Sequence, residues 1–153
     1  MTQLTQHFSY EELIYSETAA RHGIDNTPSE EVIGNLKTLA LLLEEIRSAL
    51  GGKPIHINSG YRCPEVNALL GSKPTSDHCR GLAADFVAPH FGNPHAVVLE
   101  LLASGLPFKQ IIREFSDPEK GGGWTHIAVA GQGEENKRQA LIIDKQGTRP
   151  FTV

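Results

Sequence analysis

The sequence predicts an α+β fold in which a small, mainly antiparallel sheet packs against helices. Helix signals dominate the first 50 residues, and short apolar runs that are typical of strands follow them. No internal repeat and no linker interrupts the 153 residues, so we expect one domain, residues 1–153, with a single core. The expected strands are 54–58, 82–88, 110–115, 124–130 and 140–144.

The first helix is predicted from its capping pattern. Ser9 is a suitable N-cap, and Glu12, three residues later, is its capping-box partner. Gly23 is a suitable residue to follow a helix, because glycine adopts a left-handed backbone without steric cost. We therefore expect one helix from Ser9 to about His22.

The second helix is the longest expected element, at about 28–50. Thr27 is its expected N-cap, Pro28 takes the first helical position, and Glu30 completes the capping box. Its apolar residues recur at alternating steps of four and three, which places one apolar stripe along one face. The helix is therefore scaffold, and the stripe consists of Val32, Leu36, Leu39, Leu43, Ile46 and Leu50.

Shorter elements complete the predicted fold. Helices are expected at 64–70 and 94–104, between the strands. The segment 117–123 contains three consecutive glycines, which predicts a turn or a flexible loop. After the strand at 140–144 we expect a frayed tail.

Composition and charge argue against several classes of function. The formal net charge of −4 gives no broad attraction for nucleic acid or for an anionic membrane. The longest apolar stretch, Leu39 to Leu43, is far too short for a membrane span. The N-terminal residues lack a basic start and an apolar core, so no signal peptide is expected. We expect a globular protein and favour a monomer.

The two cysteines, Cys63 and Cys79, do not form a disulfide framework. Each flanks a motif, so the pair could be close in space, but two reduced thiols are favoured over a disulfide. Cys79 adjoins His78, yet adjacent residues of an extended loop point in opposite directions. Cys79 is therefore not expected to bind the same ion as His78.

A metal site is predicted from three separated residues. His78 lies in a polar turn, Asp85 in the apolar run that follows it, and His126 in a later apolar segment. Two imidazoles and one carboxylate are a usual ligand set for a catalytic zinc ion, which keeps one position open for water. The alternative is a surface histidine, a capping carboxylate and a buried sheet histidine with no metal.

Three motifs carry a family resemblance. Residues 76–85 fit the pattern S-x-H-x-x-G-x-A-x-D, residues 124–126 fit W-x-H, and residues 57–62 contain S-G-Y-R. In this order the motifs resemble those of the zinc D-alanyl-D-alanine carboxypeptidases, the relatives of vancomycin-resistance dipeptidases and phage endolysin peptidases. The resemblance runs from about Phe8 to Val129. It implies the hedgehog/DD-peptidase fold and a zinc cofactor bound by His78, Asp85 and His126.

The general base is the point at which this sequence departs from the family pattern. Several relatives carry a carboxylate three residues before the last histidine, but Gly123 occupies that position here. Glu114 is our expected base, because the most similar family branch has a glutamate ahead of its W-x-H motif. Asp117 and Glu119 are the alternatives. Without a catalytic role, Glu114 would be a solvated charge paired with Arg113 or a lysine.

Four further residues are expected to bind substrate. Arg62 suits bidentate binding of a carboxylate or carbonyl, and in the family the matching arginine also steadies the reacting oxygen. Ser76 is placed to hydrogen-bond substrate or to orient a ligand. Tyr61 and Trp124 are expected to form sides of the cleft. The alternatives are a surface salt bridge for Arg62 and core packing for Trp124.

The resemblance implies a zinc metallopeptidase that cuts bacterial peptidoglycan stem peptides, at a terminal D-alanine or inside the stem. It also implies a phage or prophage enzyme that reaches the cell wall after release from the cytoplasm. Gly123 keeps open an alternative, a catalytically inactive peptidoglycan-binding or structural phage module. Hydrolysis of a non-peptide amide is a third possibility, against which Arg62 argues by favouring a carboxylate-bearing substrate.

Overall fold

The computed structural model describes residues 2–152. Five α-helices, one 3-10 turn and six strands make up this part of the chain. In chain order they are α1 (Tyr10–Ile14), α2 (Glu17–His22), α3 (Glu30–Ala49), β1 (His56–Ser59), α4 (Pro64–Leu69), the 3-10 turn (Asp77–Arg80), β2 (Ala83–Val87), α5 (Pro94–Ala103), β3 (Gln110–Glu114), β4 (Trp124–Ala128), β5 (Gln139–Asp144) and β6 (Gly147–Pro150).

The six strands form one sheet in the order β1-β2-β4-β3-β5-β6. Only the β3–β5 pair is parallel, and the other neighbouring pairs are antiparallel. The helices pack against one face of this sheet, so the predicted α+β class with a mainly antiparallel sheet is confirmed. The opposite face holds the cleft described below.

The hydrophobic core lies between α3, α5 and the sheet. Five of the six residues of the predicted stripe are buried, with Leu36 and Leu43 fully excluded from solvent, and Val32 is partly buried. On the sheet side, Phe86, Ile111 and Ile127 are equally buried and belong to the same cluster. Each fully buried side chain of this kind stabilises the fold by about 1.5–3 kcal/mol. This packing fixes the central strands β2, β3 and β4, which carry the site.

The first predicted helix is two helices in the structure. Its N-terminal capping box is confirmed, since Ser9 Oγ accepts from the Glu12 amide and Glu12 Oε1 accepts from the Ser9 amide, both at 3.1 Å. The chain then becomes extended at Tyr15, with φ −63° and ψ 130°. Ser16 caps a new helix by accepting from the Ala19 amide. A second capping serine therefore interrupts the expected continuous helix.

The predicted cap of α3 is wrong by two residues. Ser29, not Thr27, is the N-cap, and its Oγ accepts from the Val32 amide at 3.3 Å. The Thr27 amide instead donates to Asp25 Oδ1 at 3.0 Å, in a tight turn before the helix. The turn at Asp25 thus engages the Thr27 amide, and the N-cap lies two residues later than predicted.

The expected frayed tail is ordered structure. β6 pairs with β5, and Arg149 forms an ion pair with Asp144 at 2.9 Å across this hairpin. Phe151, just beyond β6, is 8% exposed and packs in the core. The tail is anchored because a buried aromatic side chain follows a paired strand. The prediction failed because residues 145–150 are mostly polar, which is typical of a loose tail. No helix in residues 2–152 combines the length and apolar composition that a bilayer span requires.

Candidate active site

Three elements bring the predicted metal ligands together. Asp85 on β2 and His126 on β4 are direct partners in the antiparallel register, so their side chains emerge side by side on one face of the sheet. His78 reaches them from the 3-10 turn that precedes β2. Gly81 ends this turn with φ 73°, and a Cβ there would lie 2.8 Å from a Val32 side-chain carbon. A glycine is therefore required for the turn to pack on α3.

The ligand atoms have the spacing of a zinc site. The distance from Asp85 Oδ1 to His78 Nε2 is 3.3 Å, and from Asp85 Oδ1 to His126 Nδ1 it is 3.0 Å. One ligand atom from each residue lies within 4.8 Å of the other two. Ligands held about 2.0–2.2 Å from a tetrahedral zinc ion are separated by roughly 3.3–3.5 Å. The donor set therefore fits the zinc ion that the family resemblance implies.

The three ligands are nearly buried at the floor of an open cleft. His78, Asp85 and His126 are 3%, 6% and 8% exposed. The cleft above them has a volume of about 850 Å³. A metal ion at this position would be held by protein on one side and would face the cleft on the other. This is the arrangement of a catalytic site and not of a closed structural one.

A backbone carbonyl orients His78. The Gly60 carbonyl oxygen lies 2.8 Å from His78 Nδ1. A carbonyl only accepts, so Nδ1 is the donor of this bond, and Nε2 is the ring nitrogen that faces Asp85. Gly60 lies so close to α1 that a Cβ at this position would be 2.3 Å from the Leu13 carbonyl oxygen. Nothing in the S-G-Y-R motif itself indicated this role of its glycine.

Arg62 holds the carboxylate of Asp85. Its Nη2 donates to Asp85 Oδ2 at 3.1 Å, its Nε to Ser59 Oγ at 3.0 Å, and its Nη1 to Ser72 Oγ at 3.4 Å. Asp85 Oδ1 is thereby left to face the two imidazoles. Arg62 lines the cleft as expected, but in this structure its guanidinium contacts a metal ligand and two serines. Its binding of substrate remains a prediction.

Charge in the site is balanced within the cluster. Burial alone would raise the pKa of Asp85, but the adjacent imidazoles of His78 and His126 outweigh it and hold that pKa well below its usual range. Burial acts to lower the pKa of His126, yet the hydrogen bond and charge of Asp85 raise it above its ordinary value. Asp85 is therefore an anion at neutral pH, as a metal ligand must be.

Glu114, the expected general base, lies in the cleft of the three ligands. It is the last residue of β3, pairs with Trp124 of β4, and lines the same cleft as the three ligands. Burial raises the pKa of its carboxyl above the ordinary value, and the negative charge of Asp85 adds to this effect. A raised pKa helps a carboxylate to retain a proton between two steps of a reaction.

The alternative bases lie outside the cleft. Asp117 Oδ1 accepts from the amides of Glu119 and Lys120 at 2.8 Å each, so it serves as the cap of an exposed turn. Neither Asp117 nor Glu119 lines the cleft. Of the three carboxylates considered from sequence, only Glu114 shares a surface with the metal ligands.

The remaining predicted residues divide between cleft and core. Ser76 lines the cleft and its Oγ accepts from the His78 amide at 3.2 Å, so it orients the ligand turn. Trp124 also lines the cleft. The expectation for Tyr61 is wrong, because it is 6% exposed and packs in the hydrophobic core. Cys63 and Cys79 are both free thiols, and neither belongs to the ligand cluster.

The cleft also contains apolar residues that sequence reasoning missed. The apolar run of β5 is equally typical of a strand that is buried on both faces, so its sequence did not predict a cleft surface. The pairing of β5 with β3 is what places one face of β5 in the cleft. Beside Glu114 and Trp124, the cleft is lined by Leu70, Ile112, Phe115, Leu141 and Ile143.

An α+β fold with two histidines and one aspartate in an open cleft defines a candidate zinc metallopeptidase. Comparison with family models supports this class: the model described as Peptidase M15 matches residues 6–118, which is most of the chain. The chain therefore belongs to the peptidase M15 family, a family of zinc-dependent peptidases. The matched segment includes His78, Asp85 and Glu114 and ends before His126. No curated protein matches the chain.

Proposed function

We propose that this protein is a zinc-dependent peptidase that hydrolyses a peptide bond in the stem peptides of bacterial peptidoglycan. The observation that carries the proposal is the convergence of His78, Asp85 and His126 in an open cleft that also contains Glu114. The motif resemblance supports the choice of substrate, either a terminal D-alanine or a bond inside the stem. It also supports a phage-type enzyme that acts on the cell wall after release.

The ligand residues and Glu114 have separate roles in the proposed mechanism. His78, Asp85 and His126 would hold a zinc ion, which would supply Lewis-acid polarisation of the scissile carbonyl and make a water molecule more acidic. Glu114 accepts a proton from the attacking water and passes it to the leaving amine, for which its raised pKa is suited. Arg62 keeps the Asp85 carboxylate in its ligating orientation.

The rim of the cleft suits a substrate that carries carboxylates. Lys73 lines the cleft, is exposed, and makes no ion pair within residues 2–152. Arg62, deeper in the cleft, is already paired with Asp85. Stem peptides present several carboxylates, so Lys73 favours their binding by electrostatic complementarity.

The decisive experiment is mass spectrometry of defined muropeptides after incubation with zinc-loaded protein. We expect a single new amine terminus, whose mass identifies the bond that is cut. A chelator and the His78→Ala variant are expected to abolish the product. Full activity of His78→Ala would contradict a mechanism based on this metal site, and an intact muropeptide with zinc-loaded wild-type protein would contradict the proposed substrate.

A binding module without catalysis is the second candidate, and Gly123 favours it. This residue occupies the position at which several relatives carry their base. Any side chain is excluded there, because a Cβ would lie 2.0 Å from the Glu114 carbonyl oxygen. The Glu114→Gln variant distinguishes the two functions. If the protein is a peptidase, the Glu114→Gln variant loses turnover and still binds the wall. If it is a binding module, the wild-type protein already binds the wall without releasing an amine.

A further inference from the structure

The cleft face of β5 is apolar where a solvent-facing strand is ordinarily polar. Leu141 and Ile143 line the cleft, while the alternate residues Ala140 and Ile142 pack against the core on the other face. Both cleft residues are only half-buried. Because apolar surface left open to water is unfavourable, a strand that is apolar on its open face points to a ligand that covers it.

Phe115 extends this apolar surface and is held there at a cost. Its side chain is 49% exposed, and its backbone has φ 51°, a left-handed conformation that is rare for a bulky residue. Such a conformation is strained and is found chiefly at active sites and ligand-binding positions. The Phe115 amide donates to the Ile143 carbonyl at 2.8 Å, which ties the strained residue to β5.

An aromatic pair and a glycine keep Phe115 in place. Its ring packs on that of Trp124, with 5.6 Å between the ring centroids and 36° between the ring planes. On the backbone side, a Cβ at Gly123 would lie 2.5–2.6 Å from the Phe115 carbonyl group. Gly123, which stands where several relatives carry their base, therefore allows the chain to pack against Phe115.

We propose that Phe115, Trp124, Leu141 and Ile143 form an apolar subsite, which binds an aliphatic side chain of the substrate next to the scissile bond. Glu114 lies within this group, since it pairs with Trp124 on β4 and with Ile143 on β5. The subsite determines specificity by burying methyl and methylene groups, such as those of an alanine or of a long-chain diamino acid. This inference rests on the proposed peptidase function.

The Phe115→Asn and Phe115→Gly variants test the subsite without damage to the fold. Asparagine and glycine both tolerate a left-handed backbone, so these variants are expected to be at least as stable as a Phe115→Ala variant. The substrates are two stem peptides that differ only in an alanine or a glycine next to the scissile bond. We expect wild-type protein to favour the alanine peptide, by roughly fourfold in kcat/KM for one buried methyl group.

In both Phe115 variants this preference is expected to shrink towards unity, mainly through KM, while zinc content is unchanged. Tyr15→Asn is the matched control, because Tyr15 is an aromatic residue that is 63% exposed and does not line the cleft. It is expected to keep the wild-type preference. Cleavage of both peptides with an unchanged preference in Phe115→Asn would overturn the subsite and leave the peptidase function intact.

A binding measurement separates failure of the subsite from failure of the peptidase function. Trp124 is the only tryptophan in the chain, so its fluorescence reports peptide binding to the Glu114→Gln variant directly. Tighter binding of the alanine peptide supports the subsite even if wild-type protein cuts neither peptide. Absence of cleavage would then refute the proposed function and not the subsite. Equal affinity for the two peptides would refute the subsite.

Discussion

The two halves of the metal site are built in different ways. Asp85 and His126 stand on neighbouring strands, where backbone hydrogen bonds and a buried core set their separation. His78 stands on a short turn that is held by side chains and by two glycine contacts. The sheet half is therefore rigid by construction, whereas the turn half depends on a few individual contacts.

A ring of charges supports the turn half. Asp77 contacts Arg80 at 2.9 Å and Lys109 at 3.1 Å, and both cations contact Glu134, at 3.0 and 3.1 Å. The ring joins the 3-10 turn to the start of β3 and to the loop after β4. Because these groups are partly exposed, salt and low pH weaken the ring far more than they weaken the sheet.

The largest expected effect comes from the sheet half. Asp85→Asn removes the charge that both imidazoles share and leaves Arg62 without its buried partner. We expect loss of zinc and a fall in activity of more than about 100-fold. This is a larger effect than is usual when the replaced residue contacts a metal ligand but not the metal itself. Metal analysis together with a muropeptide assay measures both. Asp117→Asn, in the exposed turn, is the control and should retain its zinc.

The next largest effect is expected at Arg62, which links the two halves. Arg62→Lys keeps the positive charge but cannot contact Asp85, Ser59 and Ser72 at once. We expect zinc affinity to fall about 10- to 100-fold, measured by competition with a chromogenic chelator. Unchanged affinity would show that the sheet alone orients Asp85.

Gly81→Ala tests the turn half through packing. A left-handed alanine costs about 1–2 kcal/mol, and here the added Cβ would also meet Val32 at 2.8 Å. Gly105→Ala is the matched control, with φ 75° and no atom within 4 Å of the added Cβ. Urea unfolding should show a larger loss of stability for Gly81→Ala than for Gly105→Ala. Equal losses would mean that the contact with α3 is adaptable.

The smallest expected effect concerns the charge ring. The Gly131 amide and the Lys109 ammonium lower the pKa of Glu134 to about 2, from an ordinary value of 4.5. A lowered folded-state pKa stabilises the protein above pH 4.5, and this stability is lost as the pH falls towards 2. Glu134→Gln should therefore be less stable than wild type at pH 7, by about 0.2–1 kcal/mol per ion pair lost. Denaturant unfolding should show the two proteins converging near pH 2.

Local sequence signals predicted those elements whose stability is local. The capping box of Ser9, the apolar stripe of α3 and the apolar strand runs all depend on neighbours a few residues away. The misplaced elements depended on competition or on distant contacts. Asp25 diverted Thr27 from its predicted cap, and a buried Phe151 ordered the tail that looked frayed.

The amino-acid sequence by itself predicted the three candidate metal ligands and the candidate base, because its motifs specify individual side chains. Only the tertiary structure decided that His126 meets Asp85 across 41 residues, that Arg62 holds a ligand, and that Tyr61 packs in the core. It also decided that β5 lies beside β3 and opens an apolar surface next to Glu114. Strand register and side-chain competition between remote segments set these contacts, and no local pattern encodes them.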